Sequence, residues 1–196
     1  IIDDIVDKNS IQKLNEYINK WIQTKINNVL KSLVDLKNIK ENNSSIKALA
    51  YQLYENNGVL KREQVSEYLK NLEQNERKIL RELGVKFGRY HVFLHQLIKP
   101  EPVSLRTLLW KNFHQKFHNL KPPTFGLNFL DDREKKNKNF MLLCGFEKFD
   151  SFFVRIDILE RLFVLIINSS AKGNTEIKIV PEMLNLLGCN KDNFKK

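Results

Sequence analysis

The sequence predicts a mainly α-helical protein, with an N-terminal bundle-like helical part followed by a smaller α+β part that holds a few short strands. Three observations carry this. Apolar residues recur at three- and four-residue steps through most of the first 83 positions, the period changes to alternation after Gly84, and a Pro- and charge-rich stretch precedes a C-terminal region of short apolar runs. The expected division is a helical domain over 1–122 that includes a basic segment at 85–122, a linker at 123–139, and a small α+β subdomain at 140–196.

From Ser10, a residue type suited to an N-cap, Ile11, Leu14, Ile18, Trp21, Ile22, Ile26, Val29, Leu30 and Leu33 mark one long amphipathic helix to about Leu36. "KENNSS" breaks it. Ser45 can then cap a helix bearing Ile46, Leu49, Ala50 and Leu53, which Gly58 is placed to end. Val65, Tyr68, Leu69 and Leu72 trace a third helix, and Ile79, Leu80 and Leu83 a fourth that stops at Gly84, an up-and-down pattern with short connections. Val85 with Phe87, and the run Val92–Leu94, suit a small strand pair. After Pro100 and Pro102, Val103, Leu105, Leu108, Leu109, Phe113 and Phe117 resume helical spacing. "NLKPPTFGLNFLDDREKKNKN" has the composition of a linker. Beyond it "FMLLCGF" and "SFFVRI" read as strands, Asp157 with Glu160 as a capping box for a helix over Ile158–Ile167, and "EIKIVPEMLNLLG" as a strand, a Pro-started helix and a Gly stop.

With 196 residues, 42% hydrophobic and 29% charged, the balance is globular and the chain is long enough to bury a core. The opening "IIDDIVDKNSIQKL" begins without Met and turns polar at its third residue, so it lacks a signal-peptide pattern and reads as a piece of a longer protein. No apolar run reaches the roughly 18 residues that a membrane span needs; "ILERLFVLII" is short and charged, so a soluble chain with no membrane partner is expected. Cys144 and Cys189 stand alone, without CxxC spacing, which fits a reducing cytoplasm better than a disulfide framework or a cysteine zinc site.

Catalytic signatures are missing from the sequence: no GxxxxGK[ST], no GxGxxG after a strand, no HExxH. His91 with His95, and His114 with His118, have the i,i+4 spacing of a metal pair on a helix, yet no Glu stands in the zincin position and further ligands are wanting. Surface or core-edge histidines are the expected outcome, with no metal. Cys144 lies in an apolar run, where a thiol is ordinarily inert.

Charge is distributed unevenly. The formal net charge is +10, and residues 85–122 hold 7 bases against 1 acid, whereas 1–84 hold 14 against 12 and 123–196 hold 12 against 10. The chain is crowded with Lys, Asn and Ile, a bias that low-GC coding alone produces, so placement counts for more than total. In that segment Lys86, Arg89, Lys99, Arg106 and Lys111 alternate with Phe87, Tyr90, Phe93, Trp110 and Phe113. Such a mixture grips phosphates and offers rings to bases, with arginine able to make two hydrogen bonds to one phosphate. Phe93, Leu94, Leu97, Leu105, Leu108, Leu109 and Phe113 look like core, and cations opposite them are then merely solvated. "SSIKALAYQLYENNGVLKREQVSEYL" has a helix-turn-helix cadence, but Glu63 and Glu67 beside Lys61, Arg62 and Lys70 make its second helix a poor major-groove reader.

"SIKALAYQLYENNGVLKREQV", "LRELGVKFGRYHVFLHQLIKP" with "LRTLLW" just after it, and the shorter "VRIDILERLFVLI" and "MLNLLGCN" resemble the region C-terminal to the motor in bacterial relatives of the mitochondrial degradosome DExH-box RNA helicase, a superfamily 2 enzyme. The match runs from about residue 10 to the end. The resemblance implies two upstream RecA-like motor domains of the same chain that hold ATP and Mg, so that no cofactor belongs to this segment and no catalysis occurs in it. It also implies an accessory module beside the motor, with single-stranded RNA and a nuclease as partners. Gly84, Gly88, Arg89, Phe93, Leu94, Lys99, Pro100, Leu105, Arg106 and Trp110 fall on its signature positions, whereas His95 stands where proline is expected. The residues assigned to RNA are Lys86, Arg89, Lys99, Arg106 and Lys111 for phosphates, with Tyr90 for a base; the alternative is a protein-docking or structural module that uses the long first helix.

Overall fold

A computed structural model describes residues 7–40, 43–133, 135–170, 179–189 and 194. The chain is mainly α-helical, with a smaller α+β part, and the strands among the described residues form two three-stranded antiparallel sheets. The first helix, α1 (Lys8–Val29), starts one turn before Ser10: Asp7 is its N-cap, with Oδ1 accepting from the Asn9 and Ser10 amides at 2.8 and 2.9 Å. The expected single helix to Leu36 is broken at Leu30, which leaves helical geometry at φ −104 and ψ 26 and begins α2 (Lys31–Lys37). Packing explains the break. α1 buries no residue, and only its C-terminal Ile26 and Val29 touch the core, whereas the bend turns Leu33 and Leu36 of α2 inward.

The helix α3 (Ser44–Glu55), capped by Asn43 rather than Ser45, buries Ile46, Leu49, Ala50 and Leu53, the stripe its spacing predicts. Asn57 at φ 54 and Gly58 at φ 82 then reverse the chain. A Cβ on Gly58 would lie 2.4 Å from Leu97 Cδ1, so the turn needs glycine for both conformation and space. The chain leaves this reversal not as a second helix but as β1 (Val59–Lys61) and a short 3-10 turn before α4 (Ser66–Asn71), so the helix-turn-helix cadence is interrupted by a strand. α5 (Gln74–Glu82) ends before Gly84, which leads into β2 (Val85–Phe87) and β3 (His91–Leu94); the sheet order is β1-β3-β2.

This first sheet is buried on both faces, and alternation sorts its side chains. Leu60, Val85, Val92 and Leu94 pack with α2, α3 and Leu80 of α5 in the main core, while Val59 and Phe93 point the other way onto Ile156. Every residue of β3 is buried, which is why "HVFL" lacks a solvent-facing alternate. Each apolar side chain so enclosed contributes about 1.5–3 kcal/mol relative to exposure.

A 3-10 turn at His95–Ile98 leads to α6 (Pro100–Phe113), which buries Val103, Arg106 and Thr107 and leaves Leu108, Leu109 and Phe113, expected in the core, exposed on its other side. The expected linker is partly structured: Phe129–Asp131 form β4, which pairs with β6 (Phe152–Arg155), itself paired with β5 (Phe146–Phe149). The boundary at 123–139 is also crossed by a shared core, because Val103 and Trp110 of α6 and Leu120 pack with Phe140, Met141, Cys144, Phe146 and Phe153. "FMLLCGF" is a helix first and a strand second. α7 (Lys138–Leu143) is capped by Asn137, whose Oδ1 accepts from Phe140 N at 2.9 Å, and it buries Phe140, Met141 and Leu143 before Gly145 opens β5. α8 (Ile156–Ser170) comes directly after β6, and α9 (Pro181–Leu187) is Pro-started and ends at Gly188 with φ 70, as expected. Most of the strand expected before α9 lies outside the described residues.

Candidate functional site

The β2–β3 turn carries "GRY", and three of its successive amides converge on one carboxylate. Glu160, one turn into α8, accepts from the amide of Arg89, from Tyr90 N at 3.0 Å and from His91 N at 2.8 Å. Successive backbone N–H groups arranged this way form a concave anion site. The fit requires Gly88, because a Cβ there would lie 2.4 Å from Glu160 Cδ. Glu160 therefore holds the hairpin instead of closing the capping box expected with Asp157; Asp157 pairs with Arg155 Nε at 2.7 Å.

His91 lies directly beneath this turn and is 2% exposed. Its Nδ1 is 3.1 Å from Glu160 and its Nε2 3.1 Å from Glu147 of β5, and Lys61 Nζ of β1 is 3.3 Å from the other Glu147 oxygen. Burial opposes charge on the imidazole, but hydrogen bonds to Glu147 and Glu160 outweigh it and raise the His91 pKa above its ordinary value. Burial likewise acts against both carboxylates; bonding to His91, with Lys61 on Glu147 and the turn amides on Glu160, nevertheless keeps them below the ordinary value. Below its raised pKa His91 donates from both ring nitrogens, to Glu160 and to Glu147, and so latches the first sheet to β5 and α8. His95 is not its partner, since it starts the next 3-10 turn, and His114 and His118 fall at the ends of α6 and of the short turn after it. Among the described residues no group of three or more His, Cys, Asp or Glu is arranged to hold a metal ion.

The latch leaves the turn's side chains facing outward. Arg89 and Tyr90 are exposed, with the Arg89 guanidinium 6.0 Å from the Phe163 ring centroid and the Tyr90 ring edge-on to Phe163 at 4.6 Å. They border a groove of about 1030 Å³ between the outer face of the second sheet and α8. The register puts Phe129, Phe149, Phe152 and Val154 on that face, and α8 contributes Leu159, Leu162, Phe163 and Ile166, an i, i+3, i+4, i+7 stripe.

The six residues assigned to RNA from the sequence separate here. Arg89 and Tyr90 line the groove; Lys86 is exposed on β2 and does not line it. Lys99 is exposed at the start of α6 and does not line the groove. Lys111 is half-buried, its Nζ donating to Leu120 O at 3.1 Å. Arg106 requires correction: it is 2% exposed and donates from Nη1 to Asn57 O at 2.6 Å and from Nη2 to Leu97 O. Burial lowers its pKa to about 10, and its Nε has no partner among the described residues. The guanidinium ties α6 to the Asn57–Gly58 reversal and to the turn before α6, so it offers nothing to a phosphate. Cys144 is buried as expected, and burial pushes its thiol up to about 12.

Sequence reasoning missed His91, Glu147 and Glu160 as a unit, along with Arg62 and Lys61 on the groove wall. Gly88 before Arg89 was the one local signal, since a glycine in a strand-to-strand turn marks a close approach. Its partner lies 72 residues along the chain, beyond the reach of periodicity.

No helix among the described residues is long and apolar enough to cross a membrane. Comparison with family models, with curated proteins and with solved structures finds no match to this chain.

Proposed function

We propose that the chain is a non-catalytic accessory module of an ATP-dependent superfamily 2 RNA helicase, placed beside the motor in the cytoplasm to guide single-stranded RNA. The observation that supports this reading most is the outward pair Arg89 and Tyr90, held rigidly by the latch at the mouth of a groove rich in rings. A single strand asks for that combination: cations for its backbone and aromatic faces for bases that are already unstacked. ATP and Mg belong to the RecA-like domains that the resemblance places upstream. Fluorescence anisotropy with labelled single-stranded RNA, single-stranded DNA and duplex, titrated with salt, tests it. Salt-sensitive binding with a single-strand preference is expected; an absence of binding at low salt overturns it.

A second reading rests on α1. Leu14, Tyr17, Ile18, Trp21 and Ile22 continue the stripe that Ile26 and Val29 bury, yet they are exposed, Trp21 by 60%. An uncovered stripe of this kind is the usual mark of a docking surface. It suits the motor or a nuclease as partner, and it is compatible with an RNA-guiding groove elsewhere on the module.

A further inference from the structure

The outer face of the second sheet differs from an ordinary apolar face in what its positions hold. Three of them, Phe129, Phe149 and Phe152, are phenylalanine, with Phe129 and Phe152 edge-to-face at 5.9 Å between centroids. Phe149 is 46% exposed at the rim, directly across the ladder from Phe152. Nothing among the described residues stacks flat on the Phe149 ring. The adjacent wall supplies Lys61 from the end of β1, Arg62 from the 3-10 turn after it and Arg89 from the β2–β3 turn, all lining the same groove. Arg62 is oriented by a hydrogen bond from Nη1 to Gly88 O at 2.8 Å, and Lys61 is held by Glu147. Rings on a sheet with guanidinium groups along one side can take unpaired bases on the rings while the backbone runs past the cations.

We infer that this sheet face is the base-stacking platform of the module, with Phe149 the outermost stacking ring and Arg62 and Arg89 holding the adjacent phosphates. The inference rests on the reading of the chain as a single-strand binder and assigns that function to residues outside the basic segment. A three-stranded sheet at about 4.8 Å per strand spacing is wide enough for two or three stacked bases and excludes a duplex, whose bases are already stacked on each other. Three carboxylates line the same groove, Glu63, Asp150 and Glu147, the last of them held by Lys61 and His91. They repel a phosphate backbone, so the platform binds modestly, and removing the Asp150 charge strengthens it.

The test uses the full 196-residue chain and a fluorescein-labelled 12-nucleotide single-stranded RNA, with anisotropy read across a range of salt and thermal melting recorded for each variant. Phe149→Ala is expected to weaken binding by about 5- to 100-fold without changing the salt slope, because a ring and not a charge is lost. Phe149→Leu, which keeps apolar area but no π face, loses nearly as much, and Phe149→Trp retains binding. Arg89→Ala weakens binding and lowers the salt slope by about one, and Asp150→Asn tightens it. Phe125→Ala, at a ring of similar exposure (47%) that does not line the groove, leaves binding unchanged. Wild-type affinity in both Phe149→Ala and Phe149→Leu overturns the platform while leaving the single-strand reading standing. A wild-type chain that binds no RNA at low salt overturns both, and equal losses from Phe125→Ala and Phe149→Ala overturn the platform alone.

Discussion

Removing the Glu160 carboxylate breaks four hydrogen-bond contacts at once. In Glu160→Ala three turn amides lose their acceptor and His91 loses one of its two carboxylates. The amides of Arg89 and Tyr90 sit in exposed residues, where water replaces the lost bonds at small cost. His91 is buried, so its amide and ring carry most of the penalty. A hydrogen bond to a charged group is worth about 1.5–3 kcal/mol, and an uncompensated buried charge costs more unless the group gives up its proton. With His91 deprotonating instead, the net loss comes to about 3 kcal/mol, a fall of roughly 10 °C in Tm for a chain of this size. Glu160→Gln keeps an oxygen for the turn but gives up the charge, and should lose about half as much. Gly88→Ala attacks the same contact from the other side, since its Cβ would stand 2.4 Å from Glu160 Cδ. Thermal melting by circular dichroism and urea unfolding measure all three. If Glu160→Ala and Gly88→Ala both melt within about 2 °C of wild type, the latch contributes nothing and the reasoning fails.

Arg106→Met should cost about 2–4 kcal/mol in urea unfolding, by stranding the Asn57 and Leu97 carbonyls, and should alter RNA affinity only as far as it unfolds the chain. Stability should depend on pH with a fixed sign. His91, raised above 6.5, contributes a stabilisation that is full below that pH and lost as pH rises through its folded pKa, while Glu147 and Glu160, held below 4.5, contribute one that is full above 4.5 and lost in acid. Urea midpoints from pH 4 to 9 should therefore peak on the mildly acidic side of neutrality, and His91→Gln should flatten the alkaline limb. In native protein a thiol reagent should modify Cys189 well before Cys144, which is buried with its pKa near 12, and both should react in denaturant. Trp21→Ser should leave Tm within about 1–2 °C of wild type, because α1 buries no residue there, and a large drop would mean that the stripe is covered within the module.

The elements legible in the sequence were those whose own period decides them. Ile46, Leu49, Ala50 and Leu53 repeat at helical steps and are all buried in α3, and the Pro181 start and Gly188 stop bound α9 as read. Elements decided by distant packing were not legible. The break at Leu30 exists because α2 must turn Leu33 and Leu36 onto α3, and nothing in the stripe itself marks it. "FMLLCGF" is apolar throughout, so period could not separate helix from strand; Asn137 as a cap and the shared core with α6 decide it. Composition misled at the site. Arg106 counted as surface charge but is a buried tie between turns, while Glu160, read as a local cap, reaches across to the hairpin instead. Residue type told which groups could carry charge, and only the fold told which were left facing solvent.

Anisotropy of the wild-type chain with labelled single-stranded RNA across a salt series reads out the proposed binding at the Arg89–Tyr90 turn and the groove beside it. Binding should weaken steeply with salt, favour single strand over duplex, and be competed by unlabelled single strand. Flat anisotropy at low salt, or equal affinity for duplex, would contradict the claim and turn attention to α1.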